Sequence, residues 1–161
     1  PAEQPDALWI QDSDGRFHQR AETWGLDQWA ATRVAAAVDL NGDGWLDVIK
    51  SSRKSRTDVW MARCGEESWV QVMLKGPPGN PHGLGAKISV KARAETQTRW
   101  MTSGTPGYLV SSPYRIHFGL GQLEQLDELR VEWMDGRIQQ WTEVDTRQFL
   151  TLTHPESLLP Q

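Results

Sequence analysis

Apolar and polar residues alternate with a period of two through most of this chain, in runs too short for helices and separated by Gly, Pro and Asp-Gly. Ala7-Leu8-Trp9-Ile10-Gln11 and Arg16-Phe17-His18-Gln19-Arg20 flank Asp12-Ser13-Asp14-Gly15. Asp-Gly readily takes the positive φ of a hairpin turn, so the spacing predicts two paired strands. The same grammar returns at Val131-Glu132-Trp133-Met134, Asp135-Gly136 and Arg137-Ile138-Gln139-Gln140-Trp141. Residues 69–75, 86–93 and 96–100 alternate in the same way. One apolar and one wet face is what an antiparallel sheet needs, and repeated short strands predict an all-β chain: a sandwich, barrel or propeller piece. The stretches 21–37 and 123–129 leave room for a helical turn without changing that class. Two units are expected, 1–67 and 68–161, divided at the polar segment Arg63-Cys64-Gly65-Glu66-Glu67-Ser68. The breaker-rich segment from Gly76 to Gly83 reads as a long hairpin loop within the second unit.

Charge excludes several partners. With 17 basic against 21 acidic residues and a formal charge of −4, the chain lacks the clustered cations that neutralise phosphates, so no nucleic acid is expected. Arg53-Lys54-Ser55-Arg56 reads as a solvated hairpin tip. Apolar runs such as Val34-Ala35-Ala36-Ala37-Val38 fall far short of the roughly 20 residues that span a bilayer. Cys64 is the one cysteine, which excludes an internal disulfide framework and a cysteine-based zinc cluster. Beginning at Pro1 without a leader, the sequence is expected to be a processed export product or a piece of something longer.

The strongest chemical signal is Asp39-Leu40-Asn41-Gly42-Asp43-Gly44-Trp45-Leu46-Asp47. Oxygen-bearing side chains at positions one, three, five and nine, with Gly at six, can curl around a hard cation such as Ca²⁺. Asp39, Asn41, Asp43 and Asp47 would supply side-chain oxygens and Trp45 its backbone carbonyl. An EF-hand would carry Glu at position twelve and helical flanks. Here position twelve is Lys50 and the flanks read as strands, so the expectation is a calcium loop set in a β-hairpin. The alternative is a metal-free acidic turn, in which Asn and Gly serve the bends.

From Leu8 to about Met61 the chain resembles one FG-GAP/VCBS repeat, the blade-forming unit of integrin-α-like β-propellers, carried by Leu8-Trp9-Ile10, Asp14-Gly15-Arg16-Phe17, Trp24-Gly25-Leu26 and the acidic loop. From Ser68 to about Thr153 it resembles the ASPIC/UnbV domain, which follows such a propeller in cartilage-acidic-protein-like sequences. That resemblance rests on Trp69-Val70-Gln71-Val72, Gly83-Leu84-Gly85-Ala86-Lys87-Ile88, Ser103-Gly104, Gly107-Tyr108-Leu109, His117-Phe118-Gly119-Leu120-Gly121 and Val131-to-Arg137. Together they imply a propeller-type blade packed with an antiparallel β-sandwich, and an extracellular or periplasmic module for adhesion or protein–protein interaction. A propeller has typically four to eight blades and this chain has room for one, so remaining blades of a larger chain, or a protein partner, are expected to cover it.

The rest of the chain offers little chemistry. His117 could be a general base, yet no Ser, Cys or acid stands at catalytic spacing, so a structural histidine and no enzyme are expected. His18, His82 and His154 are scattered and read as surface or loop residues. The nine Trp divide in two. Trp9, Trp45, Trp60, Trp69, Trp133 and Trp141 lie on or beside strands and are expected to pack, whereas Trp24, Trp29 and Trp100 border polar or Gly-containing segments and are candidates for display. Displayed indoles suit a protein interface or a sugar ring, which makes a carbohydrate-binding module the alternative function.

Overall fold

The computed structural model describes residues 4–53, 56–63, 65–103, 111 and 113–158. Cys64, Lys54-Ser55 and the Gly107-Tyr108-Leu109 motif lie outside them. Among the described residues every regular element is a strand except a 3-10 turn at Pro155–Leu158. The first unit contains β1 (Gln4–Pro5), β2 (Trp9–Gln11), β3 (Phe17–Gln19), β4 (Trp29–Ala30), β5 (Thr32–Val38), β6 (Asp47–Ser52) and β7 (Thr57–Trp60). The second contains β8 (Ser68–Lys75), β9 (Lys87–Ala92), β10 (Glu95–Trp100), β11 (Ile116–Gly121), β12 (Gln125–Glu132), β13 (Ile138–Asp145) and β14 (Gln148–Thr153).

In the first unit β5-β6-β7 form an antiparallel meander, with β2-β3 and β1-β4 as separate two-stranded ribbons. Both Asp-Gly turns form as expected, Gly15 at φ +82° and Gly136 at φ +86°. Residues 21–25 make one isolated turn: Leu26 N–H bonds Ala21 O and Gly25 N–H bonds Glu22 O, with Gly25 at φ +68°. That is a Schellman-type stop, so no helix grows there. Residues 32–38 and 125–132 are strands, which confines the first helical possibility to the turn at 21–25 and removes the second.

The second unit is a sandwich of β10-β9-β12-β13 on β11-β8-β14. Its core joins Val70, Val72 and Leu74 of β8, Phe118 of β11 and Leu152 of β14 to Ile88, Val90, Leu129 and Val131 of the facing sheet, with Trp133 and Met101 at the margin. Each such side chain contributes roughly 1.5–3 kcal/mol on burial. All ladders in the sandwich are antiparallel but one, since β14 runs parallel to β8 with Gln148 opposite Val70. Residues 76–83 do not close a hairpin, because β8 and β9 belong to different sheets. They carry the chain over the end of the sandwich, where Gly83 (φ +62°) lies so close that a Cβ would stand 2.8 Å from Leu74 Cδ1 and 3.0 Å from Trp133 Cζ3.

The first unit has no comparable core. Ala21 is its one fully buried apolar side chain among the described residues, while Trp9, Phe17, Trp24, Trp29, Leu40, Leu46, Val59 and Met61 stand exposed. Trp9, 60% exposed, therefore departs from the expectation of packing. Trp69 and Trp133 are buried as expected. Polar contacts hold the unit instead. The Lys50 ammonium is almost fully buried, donates to Asp6 Oδ2 (2.9 Å) and Gln28 Oε1 (3.1 Å), and lies 3.6 Å from Asp58 Oδ2.

Candidate metal centre

The acidic loop joins β5 to β6, and its backbone is shaped by its own carboxylates. Asp39 Oδ1 accepts the N–H groups of Gly42 (2.7 Å) and Asp43 (3.2 Å), and Asp39 Oδ2 accepts that of Gly44 (2.9 Å). Asn41 Oδ1 accepts Asp43 N–H (3.1 Å), and Asp43 Oδ1 accepts Trp45 N–H (2.8 Å). Successive Asx turns thus bend the chain, with Gly42 (φ +76°) and Gly44 (φ +91°) supplying conformations that other residues rarely adopt. Asp47 is fully buried, and its two oxygens accept the N–H groups of Leu40 (2.9 Å) and Ala62 (2.8 Å). It closes the loop and ties it to the segment after β7.

A calcium ion asks for six to eight hard oxygen ligands. Asp39, Asn41 and Asp43 offer such oxygens, and the Asn41 and Asp43 side chains already meet, Nδ2 donating to Oδ2 at 2.8 Å. Among the described residues each Asp47 oxygen accepts one N–H, and a carboxylate oxygen has room for a second partner. In kind, the donor set fits calcium. Among the described residues Asp39 accepts four hydrogen bonds, the longest from Asp43 N–H. Among the described residues no three His, Cys, Asp or Glu side chains gather closely enough to hold a metal unaided, so Asn41 and backbone oxygens would belong to any shell here.

The fourth bond to Asp39 comes from the second unit: Gln71 Nε2 donates to Oδ2 at 2.7 Å. Gln71 lies on β8, whose inward residues Val70, Val72 and Leu74 fill the core while Trp69 and Gln71 point outward and are nevertheless buried. The acidic loop covers them. Gly44 lies flat on the Trp69 indole, so closely that a Cβ would stand 1.7 Å from Cε2. His117, opposite Gln71 in the β11–β8 ladder, donates Nε2–H to Gly44 O at 2.9 Å. Burial pulls the His117 pKa below the usual 6.5, against the Gly44 carbonyl and Asp39, which raise it, and with Arg99, which lowers it further. His117 is thus a histidine serving the joint between the units. These partners of the loop were not readable from spacing, because Gln71 and His117 are distant in sequence and carry no ligand motif.

His154 lies in the loop after β14, as one half of the expectation had it, but it is fully buried and not on the surface. Its Nε2 meets Asp135 Oδ2 at 3.2 Å, its Nδ1 accepts Glu156 N–H at 3.2 Å, and its ring stands edge-on to Trp133. Both nitrogens are engaged, which suits a structural role. Asp135 is held below its ordinary pKa, chiefly by the backbone N–H of Arg137. Trp24, Trp29 and Trp100 are 63%, 71% and 58% exposed. Trp100 borders a cleft of about 360 Å³ between the units, lined also by Asp39, Gln71, Arg99, Arg115 and His117. Among the described residues no helix is long and apolar enough to cross a membrane.

Comparison with protein families returns two matches, the FG-GAP-like repeat over residues 2–49 and the ASPIC and UnbV family over residues 76–159. Comparison with curated proteins returns no match. The second family match spans just over half of the 161 residues and takes in the sandwich from the end of β8 onward. The chain belongs to the ASPIC and UnbV family and carries an FG-GAP-like repeat ahead of that domain.

Proposed function

We propose that the chain is a non-enzymatic, extracellular or periplasmic recognition and scaffolding module, in which a calcium-stiffened blade docks on protein surfaces, either further blades of a larger chain or a separate partner. The observation that carries this reading is the imbalance between the units. The sandwich buries a full core, whereas the repeat leaves Trp9, Phe17, Trp24, Trp29, Val59 and Met61 exposed, large apolar side chains that a covering surface would bury. Calcium, held by Asp39, Asn41 and Asp43 with the Trp45 carbonyl and Asp47, would offset carboxylate repulsion and fix the β5–β6 hairpin. Loops of this kind with modest affinity suit calcium levels outside the cytoplasm.

Thermal unfolding with calcium and with chelator tests the reading. Calcium at a hundredfold excess over its Kd adds about 2.7 kcal/mol, so the midpoint should rise in wild type and stay put in Asp43→Ala. A wild-type midpoint indifferent to chelator refutes the calcium part. A second reading, a carbohydrate-binding module, is favoured by the exposure of Trp24, Trp29 and Trp100. Saturable quenching of Trp fluorescence by one sugar class, lost in the matching Trp→Ala variant, would establish it over a protein partner.

A further inference from the structure

We propose that Gln71 and His117, both contributed by the ASPIC/UnbV domain, are positioning residues for the calcium loop of the repeat, so that cation binding and docking of the two units are one coupled equilibrium. The inference rests on reading the acidic loop as a calcium site and goes beyond it by making that site the property of both units.

Gln71 is 3% exposed, and a side-chain amide so buried requires a partner. The partner is the carboxylate at the first position of the loop. Three of the four bonds on Asp39 come from the loop's own backbone, and the fourth comes from β8. Hydrogen bonds from outside the ligand set orient a ligating carboxylate, and losing one typically costs 10–100-fold in metal affinity. The His117 bond to Gly44 O fixes position six of the loop from the strand next door, and the contact of Gly44 with Trp69 leaves no gap beneath it. The cross-strand pair Gln71–His117 therefore grips the loop at two points, and Trp69 supplies the surface between them. A loop released from β8 would have to orient Asp39 alone. By linkage, whatever factor docking adds to calcium affinity, calcium adds to docking.

Calorimetric titration of the full chain with calcium tests this. Gln71→Met keeps side-chain length and removes the N–H donor, while Gln139→Met breaks the bond from Trp133 Nε1 within the second unit and serves as control. Gln71→Met should weaken calcium binding about tenfold with Gln139→Met close to wild type. Equal affinity in Gln71→Met and wild type overturns the proposal, whereas a wild-type chain giving no binding heat refutes the calcium reading beneath it. Hydrogen exchange on the wild-type chain needs no variant to fold: calcium should slow exchange in β8 and β11 as well as in β5 and β6. Protection confined to β5 and β6 also overturns the coupling.

Discussion

Gly44 offers the sharpest test of how the loop meets the sandwich. In Gly44→Ala the new methyl would stand 1.7 Å from Trp69 Cε2 and 1.9 Å from Cζ2, distances that real contacts do not reach. The indole has little freedom to retreat, since it is 8% exposed and its ring centroid lies 4.9 Å from that of Phe149. Forcing such a group into packed surroundings costs about 1–3 kcal/mol. The backbone adds a second cost, because at φ +91° an L side chain loses about 1–2 kcal/mol relative to glycine. Gly42→Ala separates the two contributions: φ is +76° there, yet nothing lies within 4 Å of the added carbon. Urea unfolding followed by far-UV circular dichroism should place Gly44→Ala about 2–5 kcal/mol below wild type and Gly42→Ala only about 1–2 kcal/mol below. Equal losses in the two variants would mean that the loop does not press on Trp69, and the account of the joint would fall.

Two further tests address the interior polar groups. Lys50→Met should lower stability by about 1–3 kcal/mol, because it takes the buried ammonium away from Asp6 and Asp58 and leaves them with Thr32 Oγ1 and Arg56 as their remaining partners. A thermal shift no larger than that of an exposed Lys→Met elsewhere would show that the cluster is solvated rather than buried. His117 predicts a pH dependence. Its folded pKa lies below 6.5, so between the two values the unfolded chain binds more protons. The stability it contributes is complete above 6.5 and is lost as pH falls through the depressed value, with Asp39 and Arg99 as the charged groups acting on the ring. Urea midpoints measured on both sides of 6.5 should slope downward on acidification in wild type, and less so in His117→Gln, which can still donate to Gly44 O. An unchanged slope in that variant would assign the titration elsewhere.

Local pattern carried far into this fold. Both Asp-Gly hairpins, the paired strands flanking the acidic loop and the strands β8, β9 and β10 were legible because turn chemistry and period-two sequence patterning act over a few residues, although burial itself alternates in β9 and not in β8 or β10. What pattern cannot convey is which sheet receives a strand. Residues 76–83 looked like a hairpin loop because the strands on either side alternate alike, yet Gly83 must fit between Leu74 and Trp133 to take the chain across the sandwich. His154 is buried because Asp135 and the N–H of Glu156 satisfy it, partners that no spacing rule connects. Trp9 carries the burial signature of a strand tryptophan and stands 60% exposed, since covering it requires a surface beyond its own ribbon. The placing of an acidic loop between two strands was readable from spacing, whereas Gln71 resembled any outward glutamine on a half-buried strand.

The single parallel ladder bears on the order in which the molecule can assemble. β8 is the central strand of its sheet and the first of its domain, yet one of its two neighbours is β14, the last strand. Until Gln148–Thr153 has been synthesised, the peptide groups on that side of β8 have no strand to bond, and Leu152 is missing from the core beside Leu74. Contacts so distant along the chain require a large loop to close first, which slows folding and prolongs the exposure of an unpaired edge. A nascent chain halted before β14 would thus present β8 and its apolar face to chaperones or to other chains, although most of the domain's residues had already been made.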